Sequence, residues 1–192
     1  YTIEKLCRIP VTTELASELR YADPLIDGHT LLIVLSQSGE TADTIAAMKE
    51  CQRRGAKALA IVNVVGSTIA KIADYTLYTW AGPEIAVATT KGYTTQVAVL
   101  DMLAVYLARR LGKLDDQRNK ELVEAILQFP PQCRSLPFRN QMLTLPVKSR
   151  KAGKRFETAL LLPVFVIKVM GVNNNIPKLP GPTVLPIENP AV

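Results

Sequence analysis

The stretch LLIVLSQSGETADT, residues 31–44, runs five apolar residues straight into a knot of hydroxyls around one glycine. An unalternated run of Leu, Ile and Val predicts a strand covered on both faces. From Thr41 to Arg54, Ile45, Ala46, Ala47 and Met48 lie among charges, and Gly55 follows. That pattern predicts a helix closed by a glycine at its C-terminus. Ser36, Gln37, Ser38 and Thr41 therefore fall at a junction between a buried strand and a helix.

The same alternation continues on both sides. PVTTEL (10–15) predicts a short strand and ASELRYA (16–22) a helical turn or two. ALAIV (58–62) and YTLYT (75–79) predict two further strands, with a short helix opened by Gly66-Ser67-Thr68 between them. TTKGYTTQVAVLDMLAVYLARRLG (89–112) predicts a long, largely apolar helix, and Asp115 to Leu127 another. Strands and helices alternating at these spacings imply right-handed crossovers between parallel strands. The expected fold is α/β: a three-layer α/β/α doubly wound, mostly parallel sheet followed by an irregular, proline-rich C-terminal tail.

Past Phe129 the character changes. Ten of the 13 prolines lie in the last 64 residues, where repeated loss of N–H donors opposes regular structure. Residues 1–128 carry 14 basic against 15 acidic side chains, and residues 129–192 carry 9 against 2. The net charge of +6 therefore belongs to the tail. Few aromatics accompany those charges, so no nucleic-acid partner is expected. Residues 1–132 read as one domain, and 133–192 as a divergent basic tail, disordered, partly folded or off-frame.

Other classes are argued against by composition. The apolar stretch 159–172 is broken by Pro163 and Lys168 and is shorter than the roughly 20 residues a membrane span needs. Cys7, Cys51 and Cys133 are far apart, and His29 is the single histidine, so no metal site and no cofactor are expected. Scattered thiols without a leader-like start suggest a reducing, cytoplasmic setting. The chain begins at Tyr1 without an initiating Met and reads as a fragment.

In a doubly wound sheet, ligands bind beyond the carboxyl ends of the strands. The first turn of a helix offers free N–H groups and a partial positive charge of roughly +0.5. Gly39 lets backbone approach a ligand closely, while Ser36, Ser38 and Thr41 add hydroxyls and Gln37 an amide. Such a set suits phosphate oxygens held by neutral donors. The plainer alternative is that Ser38 or Thr41 only caps the helix. Gly66-Ser67-Thr68 reads as a helix cap, His29 as a solvated loop residue, and Lys91 as a charge at a helix head. The loop is neither a P-loop nor a dinucleotide fingerprint.

LSQSGETADT resembles the signature of the sugar isomerase (SIS) family, and within it the isomerase domain of glutamine–fructose-6-phosphate aminotransferases. KLCRIPVTTELASELRYADPLI (5–26), NVVGSTIAKIAD (63–74) and AGPEIAVATTKGYTTQVAVL (81–100) carry the likeness in the same order. RNKELVEAILQFPPQ (118–132) is similar to the helix linking that family's two SIS repeats. The resemblance implies that Ser36, Gln37, Ser38 and Thr41 hold the phosphate of fructose 6-phosphate. It makes Glu84, Val87 and Thr89 candidates for the sugar side.

The family makes glucosamine 6-phosphate and glutamate from fructose 6-phosphate and glutamine. Its C-G-T-S loop, expected before Tyr1, and the acid–base carboxylate, lysine and histidine of its second repeat match nothing here. Nor is there a glutaminase nucleophile at the start. No catalytic residue is assigned, and the fragment is expected to bind a phosphosugar without turnover, as a homodimer. The alternative is a non-catalytic SIS module that senses a phosphosugar or mediates dimerisation.

Overall fold

The structure is a computed structural model and describes residues 1–83, 90–135 and 165–169. Six helices and five strands are described: α1 (Thr2–Cys7), β1 (Val11–Leu15), α2 (Ala16–Leu19), β2 (Leu31–Ser36), α3 (Ala42–Arg53), β3 (Lys57–Val62), α4 (Thr68–Ile72), β4 (Tyr75–Tyr78), α5 (Thr90–Arg110), α6 (Asp116–Ser135) and β5 (Phe165–Val169). The strands form one sheet in the order β1-β5-β2-β3-β4. β2, β3 and β4 pair in parallel, Ser36 opposite Val62 and Val62 opposite Tyr78. β5 pairs antiparallel with both β1 and β2, so β1 runs in the same direction as β2.

β2 is buried at every position. Its side chains alternate between two apolar layers, as the period of a strand dictates. Leu32 and Val34, with Ala58, Ala60 and Val62 of β3, pack on Ala16 and Leu19 of α2, Ala47, Met48 and Cys51 of α3, and Ile69 of α4. Leu31, Ile33 and Leu35, with Leu59 and Ile61, pack on Ile3 and Cys7 of α1 and Leu103, Ala104 and Ala108 of α5. This is the three-layer arrangement expected from the sequence. Burial pushes the Cys7 thiol up to about 11, which leaves it protonated and inert.

The helix ends follow local chemistry. Gly55 takes a φ of +105°, its N–H bonds Gln52 O at 2.9 Å, and Ala56 N bonds Cys51 O at 3.1 Å. That is the paired C-terminal closure for which glycine is favoured. Gly112 closes α5 in the same way, with Lys113 N on Ala108 O at 2.9 Å.

Three features depart from the sequence reading. α1 was not anticipated; only Ile3 and Cys7, one helical turn apart, are buried on it. α6 runs through Pro130-Pro131 to Ser135, past the Leu127 at which the apolar pattern ends. β5, from within the proline-rich region, lies between β1 and β2, whereas the reading placed no strand there. Phe165–Val169 is free of proline and β-rich, but so short a run among prolines gave no strand signal.

Asp74, between α4 and β4, fastens the far edge of the sheet. Its carboxylate accepts from Ala58 N and Gln52 Nε2 through one oxygen, at 2.9 and 3.1 Å, and from Lys57 Nζ through the other, at 2.9 Å. Burial alone would raise its pKa, but these donors outweigh burial and hold it below the ordinary 3.8. A depressed carboxylate adds stability that is complete above its unfolded value and is lost as pH falls through the folded one. Denaturant midpoints are therefore expected to fall as pH drops below about 4. Asp74→Ala should cost about 1–3 kcal/mol at neutral pH and flatten that part of the acid profile.

Candidate functional site

Parallel pairing brings the ends of β2, β3 and β4 to one edge of the sheet. Ser36–Thr41, Asn63–Ser67 and Thr79–Gly82 are the turns that leave it. Ser36 is the last residue of β2 and only 3% exposed, so its hydroxyl needs partners. Its Oγ accepts from Gly39 N at 3.0 Å and lies 3.4 Å from Thr41 Oγ1. Ser38 Oγ accepts from Glu40 N at 3.2 Å. These amide contacts use hydroxyl lone pairs, so Ser38 keeps its proton to donate, and the Ser36–Thr41 pair keeps one of its two beyond the bond between them. The loop therefore folds on its acceptors and keeps donors.

The capping alternative for Thr41 is not what the structure shows. Thr41 occupies the N-cap position of α3 with extended backbone, yet its side chain makes no capping bond. Among the described residues no other side chain bonds the first-turn amides of α3, which leaves them open to water or a ligand. Ser67 likewise sits at the N-cap of α4 without a capping bond. Its Oγ is buried and makes no hydrogen bond. Turned under the loop, it occupies the space beside Gly39.

That close approach fixes residue 39. Gly39 has a φ of +70°, and a Cβ built there would lie 2.1 Å from Ser67 Oγ and 2.5 Å from Ser67 Cβ. The loop also bonds across to α4, from Ile69 N to Gly39 O at 3.0 Å and from Thr68 N to Glu40 Oε1 at 2.8 Å. Hydrogen bonds from the Thr68 side chain and amide hold the Glu40 carboxyl below its usual range.

Asn63, just past β3, ties the three turns together. Its N–H donates to Gln37 O at 3.1 Å, and its Oδ1 accepts from Ala81 N at 2.8 Å and Thr79 Oγ1 at 3.1 Å. Its Nδ2 donates to Gly82 O at 2.8 Å. Between these anchors Trp80 adopts a left-handed φ of 52°, is 67% exposed, and sits 5.8 Å from the Tyr78 ring.

The SIS domain family matches residues 1–106, more than half of the chain. The chain belongs to the SIS domain family. It is 55% identical over 154 residues to glutamine–fructose-6-phosphate aminotransferase [isomerizing] of Symbiobacterium thermophilum, an alignment covering 80% of this chain and 24% of that protein. With the same-named protein of Clostridium tetani it shares 56% identity over 133 residues, 69% of this chain and 22% of that one. Its fold resembles the C-terminal domain of glucosamine-fructose-6-phosphate aminotransferase from Francisella tularensis, with a TM-score of 0.64 at 36% identity. That match covers 67% of this chain and 36% of the other. The chain spans about a quarter of the length of the curated relatives it matches.

Within this SIS domain Ser36, Gln37, Ser38 and Thr41 lie together in one loop at the strand ends. Glu84, Val87 and Thr89 lie outside the described residues. Lys91, at the head of α5, donates to Pro83 O and so ties the two flanks of that segment. His29 precedes β2, roughly 20 Å from the loop along a strand rising about 3.3 Å per residue. Among the described residues no group of three His, Cys, Asp or Glu could hold a metal ion, and no helix is long and apolar enough to cross a membrane. Glu40 and Asn63 were not singled out from sequence. Asn63 had a usable signal, since it follows the β3 run much as Ser36 and Gln37 follow the β2 run.

Gly39→Ala is expected to destabilise the domain by about 2–4 kcal/mol, combining a left-handed alanine with the clash on Ser67. Denaturation of Gly39→Ala and of the double variant Gly39→Ala/Ser67→Gly measures the two parts. The second change should restore only the steric part.

Proposed function

We propose that residues 36–41 are the phosphate cradle of a sugar-phosphate site, and that the chain is a SIS unit of a glutamine–fructose-6-phosphate aminotransferase. The observation that carries this reading is the loop's bonding. Hydroxyls accept from loop amides, α3 is uncapped, and donor hydrogens gather where a doubly wound sheet takes its ligands. Neutral donors bind an anion without the desolvation cost of burying an opposing charge.

Fructose 6-phosphate is the ligand proposed, by likeness to the aminotransferases. Ser36, Gln37, Ser38 and Thr41 and the first-turn amides of α3 hold its phosphate. By the same likeness, Glu84, Val87 and Thr89 are the residues proposed to border its sugar. Identity above one half to aminotransferases across most of the chain favours this over a non-catalytic sensor module. Pairing of two SIS units in a homodimer belongs to the same proposal. The buried cysteines Cys7 and Cys51, neither of them in a disulfide, suit a reducing, cytoplasmic setting.

Ser38→Ala and Thr41→Ala should each weaken fructose 6-phosphate binding by about 1–3 kcal/mol, the scale of a hydrogen bond to a charged group. Calorimetric titration measures this, and unchanged affinity in both variants would refute the cradle.

The 192-residue chain is also expected to form no glucosamine 6-phosphate from fructose 6-phosphate and ammonia, because its single histidine lies at the opposite end of β2. Product assay by chromatography decides that point. Any turnover above the buffer rate would show that a general acid or base has been missed.

A further inference from the structure

Glu40 poses a problem for a phosphate site. A carboxylate within a loop that binds a dianion opposes binding, because like charges repel and the site edge is only partly screened. Its position is nevertheless specific. α4 begins at Thr68 without a capping side chain from Ser67, its own N-cap residue. Glu40 Oε1 accepts from Thr68 N at 2.8 Å, and Gly39 O accepts from Ile69 N at 3.0 Å. Two orphan donors of α4 are thus met by consecutive residues of the neighbouring loop.

On the other side of the same two residues, Gly39 N is held by Ser36 Oγ and Glu40 N by Ser38 Oγ. Residues 39–40 are therefore fastened from both directions. Lys71, one turn into α4, adds a favourable charge to the carboxylate.

We propose that Glu40 is a positioning residue that caps α4 across the loop and thereby fixes the hydroxyls of Ser36 and Ser38 for the phosphate. The proposal rests on reading residues 36–41 as the phosphate cradle. Without the cap, Thr68 N loses its partner and residues 38–40 are released on one side. The hydroxyls must then be ordered by the ligand itself, which lowers affinity. Positioning and charge predict opposite signs, which makes the idea testable.

The experiment measures binding of fructose 6-phosphate and of inorganic phosphate to the whole 192-residue chain by calorimetry, at neutral pH and fixed salt. Glu40→Ala should bind about 5- to 10-fold more weakly than the parent, even though a negative charge has gone. Glu40→Gln keeps an oxygen that accepts from Thr68 N and lacks the charge, so it should bind at least as well as the parent. Thr68→Pro removes both donors to Glu40, the amide and the hydroxyl, at the first helical position, where proline is well tolerated, and Ser67 already has the extended backbone that a following proline requires. It should bind weakly like Glu40→Ala, and adding Glu40→Ala to it should cause no further loss. Hydrogen exchange at the Thr68 amide should be slow in the parent and in Glu40→Gln, and faster in Glu40→Ala.

Equal or tighter binding by Glu40→Ala, or an unchanged Thr68 amide, would overturn the positioning role while leaving the cradle intact. If Glu40→Ala fails to fold, Thr68→Pro decides the same question, and parental affinity in that variant overturns the role. A parent chain that binds neither ligand removes the cradle itself, and the proposal with it.

Discussion

Leu31–Ser36 is enclosed on both faces by helices and on both edges by strands, and most of the structure follows from that enclosure. A strand so placed has no water for its backbone or side chains, so apolar residues must fill it until the chain leaves the sheet. Ser36 marks that exit. Its buried hydroxyl accepts from Gly39 N, which starts the tight reversal into α3. The polar loop is thus placed by the same burial that builds the core. Ser67 lies under Gly39 closely enough that a side chain at 39 has no room, and the β3–α4 turn becomes the floor of the β2–α3 turn.

The layers of the domain were legible because both are periodic. Alternation along β2 and β3 assigns Leu32, Val34, Ala58 and Ala60 to one face and Leu31, Ile33, Leu59 and Ile61 to the other. The strand-to-helix junction was legible because hydroxyls and a glycine interrupt an apolar run. What escaped reading depends on contacts distant in sequence. Glu40 and Thr68 are 28 residues apart, so the cap they form has no local pattern. Ser67 and Thr41 stand where capping residues are expected, and their hydroxyls are used otherwise or not at all. β5 pairs with strands more than 130 residues earlier, and no periodicity within five residues announces that.

Family membership and the physical reading support each other at different scales. The SIS match over residues 1–106 covers the strands β1–β4 and the turns at their ends. It does not explain why a carboxylate should stand in a loop of neutral donors, or why Asn63 should bond four groups from two turns. Those follow from how adjacent strand ends share their hydrogen bonds. The candidate site draws on three turns, joined by the hydrogen bonds of Asn63 and Glu40.

Trp80 is the chain's single tryptophan, and it stands exposed against Tyr78 with its following amide bonded to Asn63. Asn63 in turn holds the carbonyl of Gln37. The indole is therefore mechanically linked to the hydroxyl loop through one asparagine. The residues on either side of it, Thr79 and Ala81, are both bonded to the same asparagine. Nature has placed a fluorophore on the rim, so changes in the loop can be followed by emission without a label.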